Sequence, residues 1–268
     1  MKVSIKEKAG TYIRYFGHSA LRLDFNWMIN GVVYILAGRP PKRDMYVNQG
    51  MGKIYCRAHT TDFMYANRGY EYKIKRLISN SLSCFDLFIE VGACVGEYSV
   101  WMAKNGKSCI AIEPVEDNFK SLTKNLALNG LKERVTTVKA ALSDHLGTAE
   151  FAIRTVNKGA SGLASLFAPG TGVSERVPLT TLDILLEQLN PSFDRGVVIK
   201  IDAEHMEEWV LKGGLKSLGQ IPRLMVVYET AHLKNRRSLE YIFDEVGEFN
   251  HSYVDCLNSL AVKKAFYL

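Results

Sequence analysis

Residues 87–117, LFIEVGACVGEYSVWMAKNGKSCIAIEPVED, read as a strand, a glycine turn, a helix and a second strand that closes on a carboxylate. Apolar Leu87 to Ile89 runs into Glu90. Gly92 and Gly96 then permit a turn whose backbone can approach a ligand, and Tyr98 to Ala103 continues as helix. The second strand, Cys109 to Ile112, delivers Glu113, which follows Glu90 by 23 residues. That spacing suits an acidic side chain accepting hydrogen bonds from ribose hydroxyls in a nucleotide-binding βαβ unit.

The glycines choose between ribose-bearing cofactors. A dinucleotide site wants G-x-G-x-x-G, so that bare backbone can pack on a pyrophosphate at the helix N-terminus. Here the middle position is Cys94, and Glu90 ahead of the turn would repel a pyrophosphate but attract an amino acid's ammonium group. Both features favour S-adenosylmethionine over NAD. A glycine turn alone can be purely structural; the acidic residues at both strand ends carry the cofactor reading.

The remaining pattern alternates strands and helices. Val115 to Asn129 predicts a helix with Phe119, Leu122 and Leu126 on its apolar side and Gly130 as its stop. Strands follow at Val135 to Lys139, within AALSDHLGTAEFAIRT, at Arg176 to Thr181, Val197 to Ile201 and Leu224 to Tyr228, with two closing strands near 252–255 and 261–267. Helices are expected at Leu182 to Gln188, Met206 to Ser217 and Ser238 to Val246, and the Gly- and Ser-rich stretch Asn157 to Ser165 as a mobile lid. The expected fold is α/β: a doubly wound, mostly parallel, seven-stranded sheet with ligands at the carboxyl ends of its strands.

Residues 1–52 precede this unit as a helical extension, with helices in Ser19 to Leu36 broken by Gly38, Pro40 and Pro41. The cofactor domain is expected to span residues 53–268, and the extension to serve as a cap or an oligomerisation element, the latter implying a homodimer. Residues 1–86 hold 14 Lys and Arg against 6 Asp and Glu, while the rest holds 20 against 22. Such a basic third would attract an anionic acceptor, a nucleic acid or a lipid head group, or simply form a solvated surface. No stretch has membrane-span length or signal-peptide character, so a cytoplasmic protein is expected. Five scattered cysteines without a C-x-x-C pair argue against disulfides and zinc.

Glu90, Glu113, Asp144, Asp202 and Glu229 all fall at or just past strand ends, so the fold should gather them along one sheet edge. In IKIDAEHMEE, the candidate catalytic residues are Asp202, Glu204 and His205. His205 has a pKa suited to taking a proton from a hydroxyl acceptor, and Glu204 would suit if burial raised its own. His205 can equally be a plain helix-start residue, and Glu207 and Glu208 read as first-turn acids favoured by the helix dipole. A divalent cation on Asp202, Glu204 and Glu229 is an alternative; a site without metal is expected. Nitrogen acceptors are disfavoured, because an Asp/Asn-Pro-Pro-aromatic turn is absent from this position.

These residues resemble the FkbM-type S-adenosylmethionine-dependent methyltransferases. The pieces RAHTTDF, GYEYKIKRLI, FIEVGACVGEYS, AIEPVEDNFKSLTKNLALNG, AALSDHLGTAEF, GASGLASL, VPLTTLDILL and VVIKIDAEHMEEWVLKGG run in family order from about Arg57 to Glu229. The resemblance implies a Rossmann-like methyltransferase fold and O-methylation, commonly of sugar hydroxyls in glycans, glycolipids or natural products. It implies that Glu90, Gly92, Ala93 and Gly96 line the methionine end with Tyr98 and Ser99 at the helix start. Glu113 and Pro114 would then lie at the ribose, and Ala141, Leu142 and Asp144 at the adenine. Asp62, Glu71 and Ser161 would border the acceptor, and Glu229, from its place at a strand end, is a further candidate for the acceptor site. The family has a glycine where this chain has His205. The readings kept beside a sugar O-methyltransferase are an RNA methyltransferase and a non-catalytic cofactor-binding protein, with a dehydrogenase disfavoured by Cys94.

Overall fold

The computed structural model describes residues 5–166 and 172–267; residues 1–4 of the expected extension and Leu268 lie outside them. In chain order the helices are α1 (Ile5–Leu21), α2 (Phe25–Ala37), α3 (Asp62–Tyr65), α4 (Tyr72–Asn80), α5 (Glu97–Lys104), α6 (Glu116–Leu128), α7 (Leu182–Leu189), α8 (Glu207–Lys212), α9 (Leu215–Gln220) and α10 (Glu240–Asp244). The strands are β1 (Met45–Asn48), β2 (Lys53–Cys56), β3 (Leu87–Val91), β4 (Ser108–Ile112), β5 (Val135–Val138), β6 (Ala141–Leu142) and β7 (Gly147–Ala152). They continue with β8 (Gly162–Leu163), β9 (Ser174–Thr180), β10 (Val197–Ile201), β11 (Leu224–Glu229), β12 (Phe249–Tyr253) and β13 (Asn258–Lys263).

Seven strands form the central sheet in the order β12-β13-β11-β10-β3-β4-β5. All pair in parallel from β11 to β5, and β13 is antiparallel to both β11 and β12. The expected mostly parallel, doubly wound sheet is therefore present. β3 and β10 are buried at every position, as central parallel strands covered on both faces must be. One face, including Phe88, Val198 and Val227, packs with α4, α5 and the N-terminal helices; the other, including Ile89, Ile199 and Val226, packs with α7 to α10. A separate four-stranded sheet, β6-β9-β7-β8, flanks the cofactor side.

The helix expected over Met206 to Ser217 is two helices, α8 and α9, broken at Gly213 and Gly214. A Cβ on Gly213 would stand 2.0 Å from the Ser143 carbonyl oxygen, and one on Gly214 2.8 Å from Leu182 Cδ2. The chain turns there so that its backbone can touch its neighbours. The helix expected to Val246 is likewise shorter, α10 spanning only Glu240–Asp244.

The N-terminal helices share a core with the sheet. Trp27 is fully buried, its indole N–H donates to the Phe63 carbonyl at 2.7 Å, and its ring meets Tyr15, Phe16 and Phe63. Removing such a ring typically costs about 3–5 kcal/mol. The boundary expected after residue 52 falls within a β-hairpin, because β1 pairs antiparallel with β2. α6 anchors that hairpin: the Asn125 side chain accepts from the Tyr55 N–H at 2.7 Å and donates to the Val95 carbonyl at 2.9 Å. The outer side of α2 has no such cover. Phe25, Ile29, Val32, Val33 and Leu36 recur at helical spacing as an exposed apolar stripe. Among the described residues no helix is long and apolar enough to cross a membrane.

Candidate active site

A cavity of about 440 Å³ opens at the carboxyl ends of β3, β4, β10 and β11. Gly92, φ +82°, starts the turn after β3, and a Cβ there would lie 1.9 Å from the Asp202 carbonyl oxygen. The glycine therefore lets the end of β10 touch the turn and brings Asp202 to the cofactor strand. Gly96, φ +78°, opens α5 and makes room for Leu122, whose Cδ1 would be 2.3 Å from an added Cβ. Cys94 takes φ +47° between them. Ala93, Gly96 and Ser99 shape the turn from behind, outside the cavity wall.

Glu113 is buried at the centre of one wall. It accepts from the Cys94 N–H at 2.8 Å, the Val115 N–H at 3.0 Å and the Asn118 side chain at 3.2 Å. Burial pushes its pKa up to about 7 against the pull of those donors. Asn118 Oδ1 is buried without a partner beside it. An orphan acceptor next to a carboxylate is what a ribose with two hydroxyls would satisfy, so these residues fit the nucleoside of S-adenosylmethionine. Pro114, Ala141, Leu142, Phe151 and Met206 continue the wall as an apolar surface. Asp144 is outside it, paired with His145 at 2.6 Å and bonded to the Ser143 hydroxyl.

Loop 157–161 closes this side. Ser161 lines the cavity and its hydroxyl accepts from the Arg154 N–H at 3.0 Å. Tyr65 is hydrogen-bonded to Asn157, Lys158 is paired with Asp117, and Asn118 donates to the Lys158 carbonyl at 3.2 Å. The stretch expected to be a lid is thus latched to α3 and α6.

Near the end of β3, Glu90 accepts from both the backbone N–H and the hydroxyl of Ser99. Its register partner on β10 is Lys200, buried with it on the same face. Lys200 donates to Asp202 at 3.0 Å and stands 3.5 Å from Glu71. Burial works against its charge, but Asp202, Glu71, Glu97 and Glu90 outweigh that and hold the ammonium well above its usual range. The Tyr98 hydroxyl donates to Glu71 at 2.9 Å, placing Tyr98 behind the cavity as a support for that carboxylate. Lys75 lies over the Tyr98 ring at 4.9 Å, its pKa pulled down to about 8 by burial. Burial pushes Glu97 up to about 7 and raises Glu71 as well.

Asp202, Glu204 and Glu229 also line the cavity, as do Tyr65, Tyr70 and Asn258, and the Asp202 charge acts on both glutamates. Burial, then the charges of Asp202 and Glu229, push Glu204 up to about 9; burial, then Asp202, push Glu229 up to about 7. Among the described residues, no group of three or more His, Cys, Asp or Glu side chains is arranged to hold a metal ion.

Besides Ala93, Gly96, Tyr98, Ser99 and Asp144, the expected site residues Asp62 and His205 also lie outside the cavity lining. Asp62 is fully buried and clamped by Arg57, at 2.7 Å from Nε and 3.0 Å from Nη2, so it fixes the β2–α3 corner rather than bordering the cavity. His205 is exposed, outside the cavity lining, and stacks on His232 at 4.4 Å between ring centroids. Glu207 instead turns inward: its carboxylate accepts from the Ala203 N–H at 2.9 Å and lies 3.4 Å from His232. Burial pushes Glu207 up to about 8 and His232 down to about 4, so the two meet as neutral groups near pH 7.

Lys200 and Glu97 were missed by the sequence reading. A lysine inside the apolar run VVIKI is a usable signal, because a lysine in a central strand is buried only when carboxylates surround it. Glu97 offered none, being an ordinary first-turn acid in pattern.

Residues 90–254, more than half of the chain, match the model of the methyltransferase FkbM domain. No curated protein gives a significant match. Among solved structures, the chain is similar to an S-adenosylmethionine-dependent methyltransferase from Agrobacterium tumefaciens (8% identity, 82% of this chain and 70% of that one, TM-score 0.49). It is similar to a Streptococcus pneumoniae protein assigned as a tRNA (m1A22) methyltransferase (16% identity, 70% and 67%, TM-score 0.41). It is also similar to the Pyrococcus abyssi tRNA (uracil-54, C5)-methyltransferase in complex with S-adenosylhomocysteine (10% identity, 82% and 44%, TM-score 0.44), of which it spans less than half. The match over residues 90–254, on a sheet of this order, makes this chain a member of the FkbM methyltransferase family, an S-adenosylmethionine-dependent methyltransferase.

Proposed function

We propose that the chain transfers a methyl group to a hydroxyl of a sugar or sugar-containing small molecule. The observation that carries this reading is the composition of the cavity lining. Beyond the cofactor residues, Glu71, Asp202, Glu204 and Glu229 present acceptor oxygens beside the rings of Tyr65 and Tyr70. Carboxylates spaced around a cleft accept from sugar hydroxyls, and tyrosine rings cover the apolar faces of the sugar.

Bound between Glu90 and Glu113, S-adenosylmethionine supplies the methyl group from its sulfonium. The chain's own part is to orient the acceptor oxygen and to take its proton. Glu229, whose pKa lies at about 7, is the proposed proton acceptor, since a base poised near the working pH divides its time between both forms. Glu204, pushed up to about 9 by burial and by the charges of Asp202 and Glu229, holds its proton at neutral pH and is the proposed hydrogen-bond donor to the acceptor. His205 is not proposed for this step, because it lies outside the cavity lining.

The lining holds seven carboxylates, Glu71, Glu90, Glu97, Glu113, Asp202, Glu204 and Glu229, against the single ammonium of Lys200 among the described residues. Even with several protonated, this field favours a neutral acceptor over the anionic one expected from the basic N-terminal third, and it disfavours RNA phosphates at the reacting end. The exposed stripe on α2 supports the association role expected of the extension, including a homodimer.

The test is methyl transfer from labelled S-adenosylmethionine to panels of neutral glycosides, phosphorylated sugars and RNA. Transfer to neutral glycosides is expected, with Glu229→Gln lowering kcat about 100-fold or more at unchanged cofactor affinity. Transfer to RNA alone, falling steeply with salt, contradicts the reading.

A further inference from the structure

A second cavity, of about 340 Å³, lies between α1 and the loop at 255–258. It shares Tyr70, Glu71, Leu257 and Asn258 with the cofactor cavity, so the two meet at the acceptor end. Its character differs. The first cavity is crowded with carboxylates, whereas the second is walled by the carbon surfaces of Tyr12, Tyr15, Met64 and Tyr72.

Several polar groups around the second cavity are committed, while the exposed Lys73 also lines it. Asp255 Oδ1 accepts from the N–H groups of Leu257 and Asn258 at 2.8 Å each and from the Asn258 side chain at 3.1 Å. Glu71 is tied to Tyr98 and Lys200. Arg14 lies over the Tyr72 ring at 5.5 Å and bonds to Thr11 at 3.3 Å, while its Nε is buried without a hydrogen-bond partner. A chamber walled largely by aromatic and aliphatic carbon, with the buried Arg14 Nε as an unpartnered donor, suits an alkyl chain or a ring carrying few polar atoms.

We propose that this second cavity binds the apolar aglycone of an amphiphilic acceptor whose sugar hydroxyl reaches the cofactor cavity past Tyr70 and Glu71. The proposal rests on the sugar O-methyltransferase reading and narrows it to alkyl or aryl glycosides and lipid-linked sugars. It also gives the N-terminal extension a role: Thr11, Tyr12, Arg14 and Tyr15 of α1 form one wall. Glu71 then stands at the junction, one face toward the polar sugar and the other toward the apolar chamber.

The experiment is calorimetric titration of the full chain, loaded with S-adenosylhomocysteine, with methyl β-D-glucoside and with n-octyl β-D-glucoside below its micelle-forming concentration. The octyl glycoside is expected to bind at least about tenfold more tightly, since each buried methylene adds to affinity. Thr11→Trp and Cys256→Trp, which fill the chamber, are expected to erase that gain while leaving affinity for S-adenosylmethionine unchanged. Ile29→Ser, on the exposed stripe of α2, is expected to preserve it, separating the chamber from adsorption on the surface. Equal binding of the two glycosides, or a gain that survives both tryptophan variants, overturns the proposal. Failure of S-adenosylmethionine to bind the unaltered chain overturns instead the reading on which it rests.

Discussion

His205 occupies a backbone position built for glycine. Glu204 and His205 have φ of +47° and +78°, consecutive left-handed conformations that a side chain adopts at a cost of about 1–2 kcal/mol each. The family's glycine at this point is therefore explained by the turn that carries Asp202 and Glu204 from β10 into α8, rather than by room for an acceptor. His205→Gly should relieve that strain. We expect it to raise stability to thermal unfolding by about 1 kcal/mol, partly offset by lost stacking on His232, with kcat unchanged. Loss of turnover at intact cofactor affinity would instead assign the proton to His205.

At the scale of elements, the strand ends were legible and the strand interiors were not. LFIEVGACVGEYS and the 23-residue spacing to Glu113 pointed to residues that the structure places in one cavity wall, because burial, glycine freedom and a terminal carboxylate all leave marks in one short segment. The α8–α9 break was not legible, since Gly213 is demanded by the Ser143 carbonyl, some 70 residues away in sequence. The pairing of Glu90 with Lys200 was hidden likewise: it depends on the register of β3 against β10, which neither strand encodes alone. Asp62 shows the converse. Its motif placed it at the acceptor, whereas its partner Arg57, five residues back, spends the carboxylate on holding α3. Strand β1 escaped notice because four residues of alternating burial in a Pro- and Gly-flanked segment give little periodicity.

Across the whole molecule, the concentration of buried acids sets the response to pH. Glu97, Glu113 and Glu229 are raised to about 7, Glu207 to about 8 and Glu204 to about 9, all from 4.5 and all first by burial. The folded chain keeps protons that the unfolded chain releases above about pH 4.5, so stability falls as pH rises through 5 to 8. Lys75 adds nothing below its folded value of about 8, where both states hold its proton. The depressed carboxylates of Asp117 and Asp144 act at the other end, losing their contribution only on further acidification. The ligand-free protein is therefore expected to melt highest near pH 5 and about 5 °C or more lower at pH 8. A melting temperature that stays level or climbs across that window contradicts the assignment of these acids.

The same excess of carboxylate makes the cavity complementary to a cationic sulfonium, which joins the pH argument to the identity of the cofactor. The most direct measurement is calorimetric titration of the purified chain with S-adenosylmethionine, S-adenosylhomocysteine and NAD, repeated on Glu113→Ala. Binding of the first two alone, abolished by the substitution and weakened as pH falls through 7 and Glu113 takes up its proton, is the predicted result. Binding of NAD, or binding of S-adenosylmethionine that Glu113→Ala leaves intact, contradicts the account.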